Sequence, residues 1–385
     1  MVIAATTAVV SHALARSTYP ILLPAIEDEL LADHSQSGAL TTINFGAYLG
    51  GVALVTGVSG RVEPARLLAV GTGLATAGFL LLADADGFGQ LAAGQALTGL
   101  GGSAVWMSAP VLATGAVTPE RRGTAMGALS SAMGLGIIAA SQGTRMWRSV
   151  EGDDSLWRPT WLGAAAFSAL VLLLVVGVLR TPGTAAISGG ISLARLREVP
   201  GWRPLSLAYW LSGLVISSFT AFLGAALEED GLSREHVANL YSLFGLATAC
   251  GALTLGRLSD RIGRRPVLQA TLAGTGLASL LVLTGREPWA TLAAVLFGAS
   301  AFTYPVLIAA HLSDHLQGRA FANAFGALTL IYGSALTAGP YVAGAVGDGF
   351  GFDPAFGGLA ALAGAGTVVI SRLPHPTGHS PGTPP

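Results

Sequence analysis

Lysine is absent from this chain of 385 residues, so all 20 of its basic residues are arginine. The absence fits a GC-rich coding bias and assigns no function by itself. It does leave no Gly-x-x-x-x-Gly-Lys-Ser/Thr phosphate loop, and with no nucleotide domain either, an ion gradient is the expected energy source. Cysteine is nearly absent too. Cys250, the single one, lies inside an apolar stretch, which rules out a disulfide framework or a thiolate metal site. Charge is scarce, at 11% of residues, and the long apolar stretches hold no acid. The 53 glycines follow no fixed period, which excludes a collagen-like chain. Cofactors, metals and a nucleic-acid partner are not expected.

Apolar residues, by contrast, make up 52% of the chain, and mean hydropathy is +0.62. Runs of about 20 apolar residues recur, the length a helix needs to cross a lipid bilayer. They predict helices near 2–26, 37–59, 66–83, 88–116, 123–143 and 159–180, then near 204–227, 236–258, 266–284, 288–311, 321–346 and 354–371. The polar stretch 181–203 reads as a cytoplasmic linker between a bundle over 1–180 and a second over 204–371, with a disordered tail over 372–385. Small-residue spacings such as Gly71-x-Gly73 and Gly134-x-Gly136 suit close helix packing. The N-terminus lacks the basic region of a cleaved signal peptide.

Charge along the chain orients it. Arg61, Arg66, Arg121, Arg122, Arg180, Arg195, Arg197 and Arg203 fall in alternate connections with Arg257, Arg261, Arg264, Arg265, Arg319 and Arg372. The other connections hold the acids Glu27-Asp28-Glu29, Asp84, Asp86, Glu228-Glu229-Asp230 and Asp348. The arginine side is therefore expected in the cytoplasm with both termini, and the protein in the plasma (inner) membrane.

The densest charged segment is Gly256-Arg257-Leu258-Ser259-Asp260-Arg261-Ile262-Gly263-Arg264-Arg265-Pro266. This pattern resembles the signature loop of the major facilitator superfamily of secondary transporters, and a degenerate copy, Gly57 to Arg66, holds the equivalent place in the first half. The resemblance implies an all-α integral membrane fold, a twelve-helix bundle of two pseudo-symmetric six-helix halves. It also implies gating by Gly256, Asp260, Arg261, Gly263, Arg264 and Arg265, with Asp260 meeting the fifth helix near Gly123-Thr124 and Arg264 pairing with Asp314. Two departures stand out. Gln95 takes the place of an arginine in a second family motif, and the fifth helix lacks the Gly-Pro pair of the drug-antiporter subgroup. Arg16-x-x-Tyr19 followed by Leu22-Leu23-Pro24 looks like an under-characterised bacterial branch.

Arg16 is the charged residue expected deep in a helix, where a cation is costly unless it meets a wet cavity or a partner. His12, Arg16 and Tyr19 are spaced to share a helix face, as are Asn44 and Tyr48. Helices 1, 4, 7 and 10 line the cavity in the family resembled, which adds Trp106 and Tyr304 as substrate contacts. Met107, Gln142, Tyr209 and Ser217 are further polar or aromatic candidates. With no acid in the spans, a substrate anion is the expected counter-charge for Arg16. His12 and His311 are the candidates for carrying a proton, unless the substrate itself brings it.

The reading is a non-enzymatic, monomeric carrier of a small organic anion or monocarboxylate, working by alternating access and coupled to protons, in the manner of a symporter. The alternative is proton-antiport efflux of a drug-like or natural-product compound. A membrane-embedded enzyme would need paired acids, a metal set or a nucleophile with its base, and a channel would need a filter-like repeat; the sequence assembles neither.

Overall fold

The computed structural model describes residues 2–58, 61–115, 117–118, 122–153, 156–178 and 191–374. All regular structure among these residues is helical. α1 (Val2–Ala8), a π-helical segment (Val9–Ser17) and α2 (Thr18–Leu30) run on as one rod, followed by α3 (His34–Val58), α4 (Pro64–Ala83), α5 (Phe88–Gly115), α6 (Arg122–Glu151) and α7 (Arg158–Val178). A short α8 (Leu193–Arg197) leads to α9 (Trp202–Glu229), α10 (Arg234–Ile262), α11 (Arg264–Val282), α12 (Trp289–Ala301), α13 (Tyr304–Ser313), α14 (Gly318–Phe350) and α15 (Phe352–Ile370). Among the described residues, nine helical stretches are long and apolar enough to cross a membrane.

Helices are what lipid permits, because they bond every interior backbone group within the segment. Polar side chains inside the spans follow the same rule by bonding their own helix. Thr72 donates to the Leu68 carbonyl at 2.8 Å, and Thr248 to that of Phe244 at 2.9 Å. On α7 the buried stripe Ala164, Ser168, Val171 and Val175 recurs at helical spacing, while Leu170, Leu173 and Val176 are 56%, 70% and 58% exposed. An outer surface as apolar as the interior is a lipid-facing one.

Helix ends follow local chemistry. Ser233 caps α10 by accepting from the His236 amide, and Pro64 opens α4, where its missing N–H costs nothing. Gly263, at φ 94°, turns the chain between α10 and α11 in a backbone region that favours glycine.

Several expected boundaries shift. The expected helix 123–143 continues two turns further to Glu151, because Arg145 and Arg148 end an apolar window without ending a helix. Arg148 is 6% exposed and donates to the Leu156 carbonyl at 3.2 Å, a buried arginine that the sequence reading places in an outer connection. The expected helix 288–311 is interrupted at Phe302-Thr303, between α12 and α13. Part of the expected linker is structured: Ser192 donates its amide to the Asn323 carbonyl at 3.0 Å, and Leu196 and Val199 pack into the core of the second bundle. Residues 181–190 of that linker and 375–385 of the expected tail lie outside the described residues.

Charges collect at two ends of the bundle, an acidic rim and an arginine rim. α3 and α14 meet along one seam between the sequence halves, and α6 and α10 along another. From the acidic rim inward, the Asp348 carboxylate accepts the His34 and Ser35 amides, Gly38 abuts Pro340, and Thr42 donates to the Thr337 carbonyl at 2.7 Å. On the other seam Arg145 bonds Glu235 at 2.9 Å, Gln142 bonds Ser242 at 2.6 Å, and Ser141 pairs with Ser242 at 2.7 Å. Deeper in, a Cβ on Gly245 would sit 2.7 Å from the Gly134 carbonyl, so glycine lets these backbones touch. Contacts between the sequence halves thus run inward from the acidic rim on both seams.

Candidate functional site

Arg16 sits in the π-helical segment, whose wider turns recur at functional sites in other helices. Its guanidinium carbon lies 4.0 Å from the ring centre of Tyr48 and 5.0 Å from that of Phe45, both on α3. Tyr332, on α14 of the other sequence half, is within electrostatic reach. One terminal nitrogen, Nη2, is buried with no hydrogen-bond partner. A guanidinium stacked on aromatic faces is stabilised by up to about 2 kcal/mol when desolvated, yet stacking leaves its in-plane N–H donors unused. The arrangement therefore sets a cation against two aromatic faces with one of its nitrogens unpartnered.

Around it the helices supply aromatic walls. His12 lies 4.2 Å from Trp106 of α5, ring centre to ring centre, and its Nδ1 is 2.9 Å from the Ser11 hydroxyl. In the other half Tyr209 of α9 stacks on Tyr332 at 4.1 Å with the rings 7° from parallel, and Tyr304 is 6.1 Å from Tyr209. The Tyr304 hydroxyl is also buried without a partner. Phe45 and Tyr332 are the residues that sequence reasoning missed; each shares a Gly- and Ala-rich helix with other aromatics, and only three-dimensional pairing marks it out.

Two expected contacts are engaged elsewhere. Tyr19 is 2% exposed and donates to the Ser37 carbonyl at 3.3 Å, near the acidic rim. Asn44 spends its amide on α5: Nδ2 is 3.1 Å from the Gln95 side-chain oxygen and 2.9 Å from the Thr98 hydroxyl. Gln95, where the family motif has arginine, is thus part of a knot between α3 and α5. His12, Arg16, Tyr48 and Trp106 remain grouped along the first rod and its neighbours.

At the arginine rim, Arg264 donates from Nε to Asp314 at 3.1 Å and from Nη1 to Ser259 at 2.7 Å, and it also pairs with Asp260. Arg265 donates to the Ser371 carbonyl, binding this turn to the end of α15. Arg261 and Asp260 are exposed, and Gly256 has open space around it. The side chains near Gly123-Thr124, the expected partner of Asp260, lie outside the described residues.

At the acidic rim, Arg234 of α10 bonds Glu228 at 3.0 Å and also Asp28 of α2, crossing between halves. Glu29 accepts from Trp157 and Arg158, each at 2.7 Å. Asp230, just past α9, has its carboxyl pushed up by partial desolvation and then by the charge of Asp353. The sequence showed the rim's acids, but its cross-half pairs needed the fold.

An all-α bundle of helices long and apolar enough to cross a membrane is the fold of the major facilitator type. More narrowly, the chain belongs to the family described as "Uncharacterised MFS-type transporter YbfB", whose model matches residues 8–373. The nucleoside transporter NupG has the same fold, with a TM-score of 0.76 at 13% identity, covering 96% of this chain and 98% of that one. The chain is 27% identical to a chloramphenicol resistance protein of Streptomyces lividans over 337 residues, 84% of this chain and 82% of that protein. It is 30% identical to the class C tetracycline resistance protein of Escherichia coli over 135 residues, 35% of this chain and 34% of that one. A probable transporter of Streptomyces coelicolor matches at 27% over 65% of this chain and 58% of its own length. The match thus spans about a third of the tetracycline relatives' length and under two thirds of the Streptomyces coelicolor one. Membership of this family makes the chain an MFS-type membrane protein.

Proposed function

We propose that this protein exports drug-like or natural-product compounds that combine an aromatic plane with an anionic group, in exchange for protons. The observation that carries the reading is the Arg16 guanidinium, held on Tyr48 and Phe45 with Nη2 buried and unpartnered. An anion fits the free donor, and the stacked Tyr209–Tyr332 pair offers a flat surface beside it. The similarity to resistance proteins for tetracycline and chloramphenicol favours efflux over uptake of a monocarboxylate. It outweighs the missing Gly-Pro pair on α6.

On this reading residues 1–180 and 204–371 are two halves that rock about the midplane, 181–203 joins them in the cytoplasm, and the tail follows. The arginine rim is then cytoplasmic and the acidic rim periplasmic, the contacts across the acidic rim suit an inward-facing state, and the carrier works as a monomer in the plasma membrane. The turn 256–265, held to Asp314, belongs to the inner gate.

Everted membrane vesicles with an imposed pH gradient test the reading. Uptake should follow the gradient for tetracycline or an aromatic acid such as salicylate, fall at least tenfold in Arg16→Ala, and stay low for lactate. Gradient-driven lactate transport with no aromatic substrate would reverse it in favour of the monocarboxylate carrier.

A further inference from the structure

We propose that the acidic rim contains a proton-binding site, the imidazole of His34, and that the proton it holds ties the two halves together. His34 opens α3 in the first half. Its Nδ1 lies 3.0 Å from Glu27 of α2, and its Nε2 lies 3.0 Å from Glu229 of α9 in the second half. A neutral imidazole has a single N–H and can donate to one of these carboxylates, leaving a lone pair facing the other. Bonding both takes the imidazolium, which then bridges the halves.

The rest of the setting makes the bridge consequential. The His34 amide donates to Asp348 of α14 at 2.7 Å and the Ser35 amide at 2.8 Å, so the start of α3 is already seated on the other half. Phe222 and Phe352 flank the ring, with centres 6.5 and 4.8 Å away, and the side chain is 26% exposed. Glu27, Glu229 and Asp348 face it from three helices, and Asp230 and Asp353 line the adjoining groove with Glu229. The nearby cation, Arg234, is committed to Glu228 and Asp28. Without its proton, His34 leaves Glu27 and Glu229 with no cation between them, and the carboxylates repel across the seam.

The sign follows directly. Acid on this side holds the rim shut, and alkali frees it to open. Calling that medium the periplasm rests on the orientation proposed above, whereas the tie itself depends neither on orientation nor on substrate.

Spin labels report rim opening. In a Cys250→Ala background, Asp86→Cys and Arg286→Cys place one label on each half at exposed rim positions. Distances are read by double electron–electron resonance in nanodiscs from about pH 6 to about pH 10, a range extending well past an ordinary imidazole pKa of about 6.5. The parent should show a short-distance population in acid that gives way to a longer one in alkali. His34→Gln should show the longer population throughout, with no pH dependence. Glu229→Gln, which keeps the His34–Glu27 contact, should move the transition to lower pH. The inference is overturned by a parent profile flat with pH, by an unchanged parent-like profile in folded His34→Gln, or by an unmoved transition in Glu229→Gln. The last measurement also decides the matter should His34→Gln not fold.

Discussion

The Arg16 guanidinium lies over the Tyr48 ring at 4.0 Å while its Nη2 goes unbonded. These residues are on different helices, so the stacking fixes where the cation sits as well as what surrounds it. On the proposed function, a charge held this way is available to substrate. It also separates the roles of charge and shape. Arg16→Lys keeps the charge but loses the planar fork, and should retain transport at roughly a tenth of the parent rate or less. Arg16→Gln should retain none. Initial rates in proteoliposomes, normalised to inserted protein, check both.

Tyr209 and Tyr332 stack at 4.1 Å, a ring-to-ring contact that needs no hydroxyl. Tyr332→Phe should therefore transport within about twofold of the parent. Tyr332→Leu should raise KM severalfold, since an aromatic pair is worth about 0.5–1.5 kcal/mol beyond area. A concentration series of one aromatic substrate separates these outcomes.

Asn44 ties α3 to α5 through Gln95 and Thr98. Asn44→Ala leaves buried acceptors without their donor and should cost about 1–3 kcal/mol, seen as a lower midpoint of thermal unfolding in detergent. Transport per folded molecule should change far less than in the Arg16 variants, because this amide is already spent.

Gly134 and Gly245 let α6 and α10 touch. Gly245→Val puts three carbons where one already meets the Gly134 backbone, and should force the seam apart. The expected result is a population open at the acidic rim with transport below a tenth of the parent, read from labels across that rim. A seam that tolerates valine with normal transport contradicts the close approach.

Much of the architecture was legible because lipid enforces it. Long apolar runs had to be helices, and arginine asymmetry separated the two rims before any contact was known. What stayed hidden were features that depend on pairing. The two extra turns of α6 escaped because Arg145 and Arg148 end a hydrophobic window, and only the structure shows Arg145 meeting Glu235. Arg16 stood out by its cost in a span, but Phe45 and Tyr332 are ordinary aromatics until α3 and α14 bring them beside it. Tyr19 and Asn44 were placed by helix periodicity, which gives a face and not a partner; Ser37 and Gln95 are those partners. His34 carried no signal at all, since its contact with Glu229 joins positions nearly two hundred residues apart.

The central claim is that Arg16 receives the anionic group of the substrate. Equilibrium binding of radiolabelled salicylate or tetracycline to purified protein in nanodiscs tests it most directly, comparing the parent with Arg16→Lys, Arg16→Gln and the neutral amide of the same aromatic acid. The account predicts at least tenfold weaker binding in Arg16→Gln, an intermediate value in Arg16→Lys, and no further loss when the amide is offered to Arg16→Gln. Equal affinity of the parent and folded Arg16→Gln for the anionic ligand would contradict it.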